Sequence, residues 1–248
     1  MLPPVVAGNS ATRPTLDAAL CQAVEQRTQA AVALLQSARS AFPDLVFANS
    51  LGAEDMVLTD LICSRQLGIV MFSLDTGRLP PETYSLMAAV EARYGIHLNL
   101  FFPEATAVES YVREHGINAF YRSVELRKAC CGLRKVEPLR RALSGRGAWV
   151  TGLRAAQSTT RTTLALREYD PTFGLEKFNP LAEWSEAEVW AYIRIHEVPY
   201  NALHDQFYPS IGCAPCTRAV AIGEDIRAGR WWWEDAALKE CGLHIKTS

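Results

Sequence analysis

Thiols are the residues of this chain whose type and spacing most readily do chemistry. Cys130 and Cys131 are adjacent, and Cys213-Ala214-Pro215-Cys216 begins 82 residues beyond Cys131. Adjacent cysteines rarely close a relaxed disulfide on each other, yet both can ligate one centre. Alone, the adjacent pair reads as two buried thiols. The distant Cys-x-x-Cys changes that weighting, because four thiolates supplied as two local pairs can hold zinc or an iron–sulfur cluster. Spacing does not choose between the two, and a Cys-x-x-Cys by itself could also be a redox dithiol.

Other chemistry-bearing residues lie outside these pairs. The turn Ser50–Asp55, between a strand and a helix, can offer backbone N–H groups and a helix dipole to a phosphate, although Gly52 could simply be a turn glycine. The stretch from Gly152 to Arg161 concentrates Arg154, Gln157, Ser158 and Arg161 after a short apolar run, and a solvated charged loop explains it as well on local grounds. Lys135, four residues past Cys131, is either a surface lysine or a cation held beside the thiols. Arg227, before Trp231-Trp232-Trp233, has the same two readings. Near the end of the chain, Cys241-Gly242-Leu243-His244 places a histidine where it could stabilise a thiolate or bind an anion, against the plainer reading of a free thiol.

The elements that must position these residues alternate. Leu20, Val24, Ala31, Leu34, Leu35 and Ala38 recur at helical spacing between Leu16 and Ala41, with Cys21 expected in the core or half-buried. Leu45–Ala48, Ile69–Leu74, His97–Phe102 and Ala148–Thr151 read as strands. Helical segments follow from Glu54, from Pro80-Pro81 and from about Ala105, and Lys135–Leu143 reads as a further helix. Residues 154–180 have β character, and Ser185-Glu186-Ala187-Glu188 caps another helix. This rhythm predicts an open, mostly parallel α/β sheet with helices on both faces and a ligand site beyond the C-terminal strand ends. Ser50–Gly52, Asp75-Thr76-Gly77 and Gly152–Arg154 fall at those ends.

The chain has 248 residues, 49% hydrophobic and 21% charged, with a formal net charge of −2. One domain over 1–248 is expected, with a loose lead at 1–14 and a C-terminal tail at 234–248. The balance of charge gives no bulk attraction to nucleic acid or to an anionic membrane, so any anion must be held by local cations. Neither a secretory signal pattern nor a membrane-length apolar run is present, which makes a cytoplasmic location the expectation. Seven cysteines in such a compartment favour metal or thiol chemistry over disulfides.

Taken together, Ser50-Leu51-Gly52-Ala53-Glu54-Asp55, Leu74-Asp75-Thr76-Gly77, Cys130-Cys131 with Lys135, Thr151-Gly152-Leu153-Arg154 with Gln157, Ser158 and Arg161, Cys213-Ala-Pro-Cys216, and Glu240-Cys241-Gly242-Leu243-His244 resemble the assimilatory adenylyl-sulfate reductases, the thioredoxin-dependent sulfonucleotide reductase family. The resemblance runs from Asn49 to His244 and implies a PP-loop, adenine nucleotide alpha hydrolase-like fold. It implies one [4Fe–4S] cluster on Cys130, Cys131, Cys213 and Cys216, and Cys241 as the nucleophile toward adenylyl sulfate. It implies thioredoxin, or a glutaredoxin-like dithiol, as reductant. It assigns Lys135, Arg154, Arg161, Arg227 and His244 to the phosphosulfate, and Ser50, Gly52, Leu74, Asp75, Thr76 and Gly77 to the nucleotide.

Three other readings stay open on sequence. One is reduction of the 3′-phosphorylated substrate; another is a PP-loop adenylyltransferase or ATP pyrophosphatase with a structural metal. The third is a non-catalytic iron–sulfur or zinc protein. ATP-cleaving relatives of this fold carry a Ser-Gly-Gly-x-Asp-Ser loop; here Leu51 replaces the first glycine and Met56 the final serine, which counts against ATP hydrolysis. The triple tryptophan could serve a homo-oligomer contact as readily as the core.

Overall fold

In the computed structural model, which describes residues 15–157 and 164–235, the apolar run after Leu45 forms strand β1 (Val46–Ala48). Its side chains alternate between two layers. Val46 packs with Phe72, Leu139 and Trp149, while Phe47 packs with Leu35, Leu61 and Tyr192. A strand buried on both faces belongs in the middle of a parallel sheet.

The sheet has six strands in the order β3-β2-β1-β4-β6-β5, with β2 (Val70–Leu74), β3 (Asn99–Phe101), β4 (Ala148–Val150), β5 (Arg167–Asp170) and β6 (Leu175–Phe178). Every neighbouring pair is parallel except β5 with β6. The β character expected over 154–180 is this hairpin, whose second strand joins the parallel sheet beside β4. From β1 the chain builds outward through β2 to β3, then returns to place β4 on the other side of β1. That reversal opens a crevice beyond the C-terminal ends of β1 and β4.

Helices α1 (Ala18–Ala41), α2 (Ala53–Ser64) and α3 (Pro81–Tyr94) cover one face of the sheet. After α4 (Ala105–His115) and α5 (Val124–Cys131), α6 (Glu137–Leu143) covers the other face through Leu139, Ala142 and Leu143. α7 (Glu186–Ile195) returns to the first face. Local chemistry sets several helix starts. Asp17 accepts from Leu20 N at 2.8 Å, and Ser185 with Glu188 forms the capping box expected from sequence.

Two expectations are corrected. Cys21 is exposed, because α1 buries Val24, Thr28, Ala31, Leu35 and Ala38 and turns residue 21 outward. The strand read over His97–Phe102 shortens to three residues at the sheet edge, with His97 exposed. Apart from the two sheet layers, Tyr111, Phe120, Cys130, Cys213, Cys216 and Trp231 form a third buried cluster. Among the described residues no helix is long and apolar enough to cross a membrane.

Candidate functional site

A cavity of about 240 Å³ lies in the crevice at the ends of β1, β2 and β4. The loop after β1 makes its floor. Asn49 donates from Nδ2 to Thr59 at 2.9 Å and accepts from Leu51 N at 2.8 Å, which turns the backbone sharply. Leu51 adopts φ +63°, a left-handed conformation that costs a branched residue of order 1 kcal/mol, and its side chain is buried in compensation. Gly52 then caps α2.

Asp55, in the first turn of α2, ties this loop to the one after β4. Its carboxylate accepts from Ser50 N at 2.6 Å, from the Ser50 hydroxyl at 2.5 Å and from Gly152 N. The approach is so close that a Cβ on Gly152 would lie 2.1 Å from Asp55 Oδ1, so residue 152 must be glycine. Burial pushes the Asp55 carboxyl up to about 6, against the hydrogen bonds from Ser50 and Gly152 and with help from the neighbouring Glu54 charge. Beyond β2, Asp75 accepts from Gly77 N at 2.8 Å and from the Tyr84 hydroxyl at 2.9 Å, shaping the turn that turns Thr76 toward the cavity.

The four paired cysteines line a second, smaller cavity together with Arg78, Arg134 and Lys135. α5 delivers Cys130 and Cys131 at its C-terminal end. The helix then widens into a π turn over Gly132–Val136, and Arg134 and Lys135, both in that turn, line the cavity beside the thiols. Cys213 and Cys216 come from a short 3₁₀ turn fastened to the rest of the site. Ala214 N donates to Arg78 O at 2.8 Å, and the Tyr121 hydroxyl donates to Pro215 O at 2.7 Å. Burial raises the Cys130 thiol, opposed by Arg134. Burial also pushes Cys216 up to about 12, with Cys213 adding to the rise and Lys135 and Arg230 opposing it.

Three buried thiols within each other's field, surrounded by guanidinium and ammonium groups, form a donor set suited to a thiolate-ligated centre, whose metal would remove the protons that burial retains. Arg134 Nε and Arg230 Nε are buried with no hydrogen-bond partner. Among the described residues no group of three or more His, Cys, Asp and Glu side chains is arranged around a single metal ion. The four sulfurs border a space together.

The two cavities adjoin. Lys135 lines both, and Thr76 lines the first while its hydroxyl lies 3.2 Å from Cys213 Sγ and its carbonyl accepts from Arg134 at 2.6 Å.

Residues 44–219 match the phosphoadenosine phosphosulfate reductase domain. The chain belongs to this family. It is 59% identical over 218 residues to the adenosine 5′-phosphosulfate reductase of Allochromatium vinosum, covering 88% of this chain and 85% of that one. It is 51% identical over 223 residues to the enzyme of the same name from Neisseria meningitidis, covering 90% and 91%. In structure it is similar to the phosphoadenylyl-sulfate reductase of Candida auris in its phosphate complex, with a TM-score of 0.67 and 29% identity over 84% of this chain and 100% of that one. Yeast FAD synthetase, at TM-score 0.58 and 13% identity over 83% of this chain and 70% of that one, shares the fold.

Within this reductase fold the expected site residues divide. Ser50, Leu74, Thr76 and Lys135 line the larger cavity, while Gly52, Asp75 and Gly77 shape the turns behind it. Arg154 is buried and paired with Glu54 at 2.8 Å. Arg227 lines neither cavity; Arg230, three residues on, acts on Cys216 together with Lys135. Arg161, Cys241 and His244 lie outside the described residues.

Sequence reasoning missed Asp55, Arg78, Arg134 and Arg230 as site residues of the reductase. The glycine at 152, next to a strand end, was the available signal for a close approach by a neighbouring group. Nothing in the spacing singled out the arginines.

Proposed function

We propose that this chain reduces adenylyl sulfate to sulfite and AMP in sulfate assimilation, with Cys241 as nucleophile. The supporting observation is that Lys135 lines both the cavity at the strand ends and the cavity of the paired cysteines. A nucleotide in the first cavity would direct its anionic sulfate toward that ammonium group. The Cys241 thiolate attacks the sulfate sulfur, the S–O bond to AMP breaks, and an S-sulfocysteine forms. Reduced thioredoxin, or a similar dithiol, attacks Cys241 Sγ and releases sulfite. Its second thiol resolves the mixed disulfide, so the dithiol supplies both electrons.

An anion attacking an anion needs cations at the point of approach. Lys135, Arg154, Arg161, Arg227 and His244 are assigned to that task, with Lys135 carrying direct geometric support. Ser50, Gly52, Leu74, Asp75, Thr76 and Gly77 are assigned to the nucleotide. Cys130, Cys131, Cys213 and Cys216 would hold one [4Fe–4S] cluster. When bound, the cluster would supply a fixed anionic centre around which Arg78, Arg134 and Lys135 are ordered.

The unphosphorylated nucleotide is favoured because the described charged side chains lining the larger cavity are Glu54, Asp55 and Lys135, an arrangement poor in cations for an added 3′-phosphate. The relatives named above as adenosine 5′-phosphosulfate reductases support the same choice.

Cys241→Ser tests the mechanism. The variant is expected to keep AMP affinity and iron content within twofold of the parent and to lose all sulfite release. Sulfite released by this variant with thioredoxin would refute the role of Cys241.

A further inference from the structure

The last described turn, Trp231–Glu234, is fastened to both cysteine-bearing segments. Trp231 N donates to Cys216 O at 3.2 Å, and Glu234 N donates back to Trp231 O at 2.8 Å. The Trp231 ring, 1% exposed, is contacted by two guanidinium groups, with Arg127 at 4.7 Å and Arg230 at 5.0 Å from its centroid. Arg127 then reaches past the ring to Glu234, donating from Nε at 2.9 Å and from Nη2 at 2.7 Å to its two carboxylate oxygens. Both side chains of this fork are almost fully buried, at 1% and 4% exposure. Arg127 sits one helical turn before Cys130 and Cys131 on α5.

A buried ion pair is a poor source of net stability, since desolvation offsets most of the attraction, but a bidentate fork fixes the position and orientation of the segments it joins. What it fixes here is a point of departure. Cys241 is the seventh residue after Glu234, and a chain of that length reaches at most about 25 Å. The place where Glu234 is held therefore sets which atoms Cys241 can meet and at what effective concentration.

We propose that Glu234, through its pair with Arg127, is a positioning residue that roots the tail carrying Cys241 against the helix carrying Cys130 and Cys131. This rests on the reading of Cys241 as the nucleophile. When the pair is broken, the hold on Glu234 is lost while the hydrogen bond from Trp231 N to Cys216 O remains, and the attack on sulfur slows while the nucleotide cavity, built from other elements, is untouched.

The test uses the full chain with its cluster in place. The single-turnover rate at which labelled adenylyl sulfate sulfonates Cys241 without reductant is measured beside AMP affinity and iron content, in the parent, Glu234→Gln and Arg127→Lys. Glu234→Gln is expected to slow sulfonation about tenfold, with AMP affinity and iron content within twofold of the parent. Arg127→Lys, which keeps the charge and loses the fork, is expected to fall between. Sulfonation at the parent rate in Glu234→Gln overturns the positioning role alone. So does a parallel loss of rate, AMP affinity and iron in both variants, since the pair would then serve the fold. A parent chain that takes up no sulfonate overturns the nucleophile reading, and the positioning role with it.

Discussion

Asp55 joins the two loops that frame the cavity at the strand ends by accepting from Ser50 and from Gly152 N, and it does so from full burial. Its ordinary carboxyl value of 3.8 rises to about 6 in the folded chain. Between those values the native protein binds a proton that the unfolded chain releases. This group therefore adds stability as pH falls through 6, and that contribution is lost as pH rises through 6. Its work in the site runs the other way, because a protonated carboxyl gives up an acceptor that Ser50 and Gly152 share. AMP affinity, measured by calorimetry from about pH 5 to pH 8, is expected to weaken below about 6 in the parent. Asp55→Asn, which cannot titrate, is expected to bind more weakly throughout and to show only the weakening that protonation of the AMP phosphate, itself at about 6, imposes on both proteins. The neighbours Glu54, Lys135 and His204 are common to both proteins, so parallel profiles would rule out Asp55 as the cause.

At the scale of elements, the thiol cavity is made where α5 runs into a π turn and meets the 3₁₀ turn of Cys213–Cys216. The thiols of Cys130 and Cys216 are raised by burial and by nearby cysteines, which a thiolate-bound centre would relieve and a vacant site would not. Anaerobically purified protein is accordingly expected to carry about four iron and four acid-labile sulfide per chain. Stoichiometric zinc in place of iron would contradict this. The elements themselves were legible in sequence wherever apolar spacing was regular, as in α1 and β2, or where a cap was spelled out, as at Ser185. The exposed position of Cys21 was not, because an apolar-looking residue at the rim of a helical stripe faces inward or outward according to which neighbours arrive. The π turn was not legible either, since its widening leaves no mark in the spacing of Gly132–Val136.

For the whole molecule, the reversal of strand order at β1 explains why residues from three distant stretches meet. Ser50 follows β1, Thr76 follows β2 and Gly152 follows β4, all around one crevice. That much follows from alternating strands and helices. The pairings that complete the site, Arg154 with Glu54, Arg134 with Thr76 and Arg127 with Glu234, span 58 to 107 residues and depend on tertiary packing that no local pattern encodes. The same fold occurs in yeast FAD synthetase at 13% identity, so the fold alone does not select the chemistry. The thiols do. Incubating the purified chain with adenylyl sulfate labelled in its sulfate, without any reductant, and mapping the label by peptide mass spectrometry addresses this most directly. A single sulfonate on Cys241, matched by one equivalent of AMP, is the predicted result; label on another residue, or AMP released with no protein-bound sulfonate, would contradict the account.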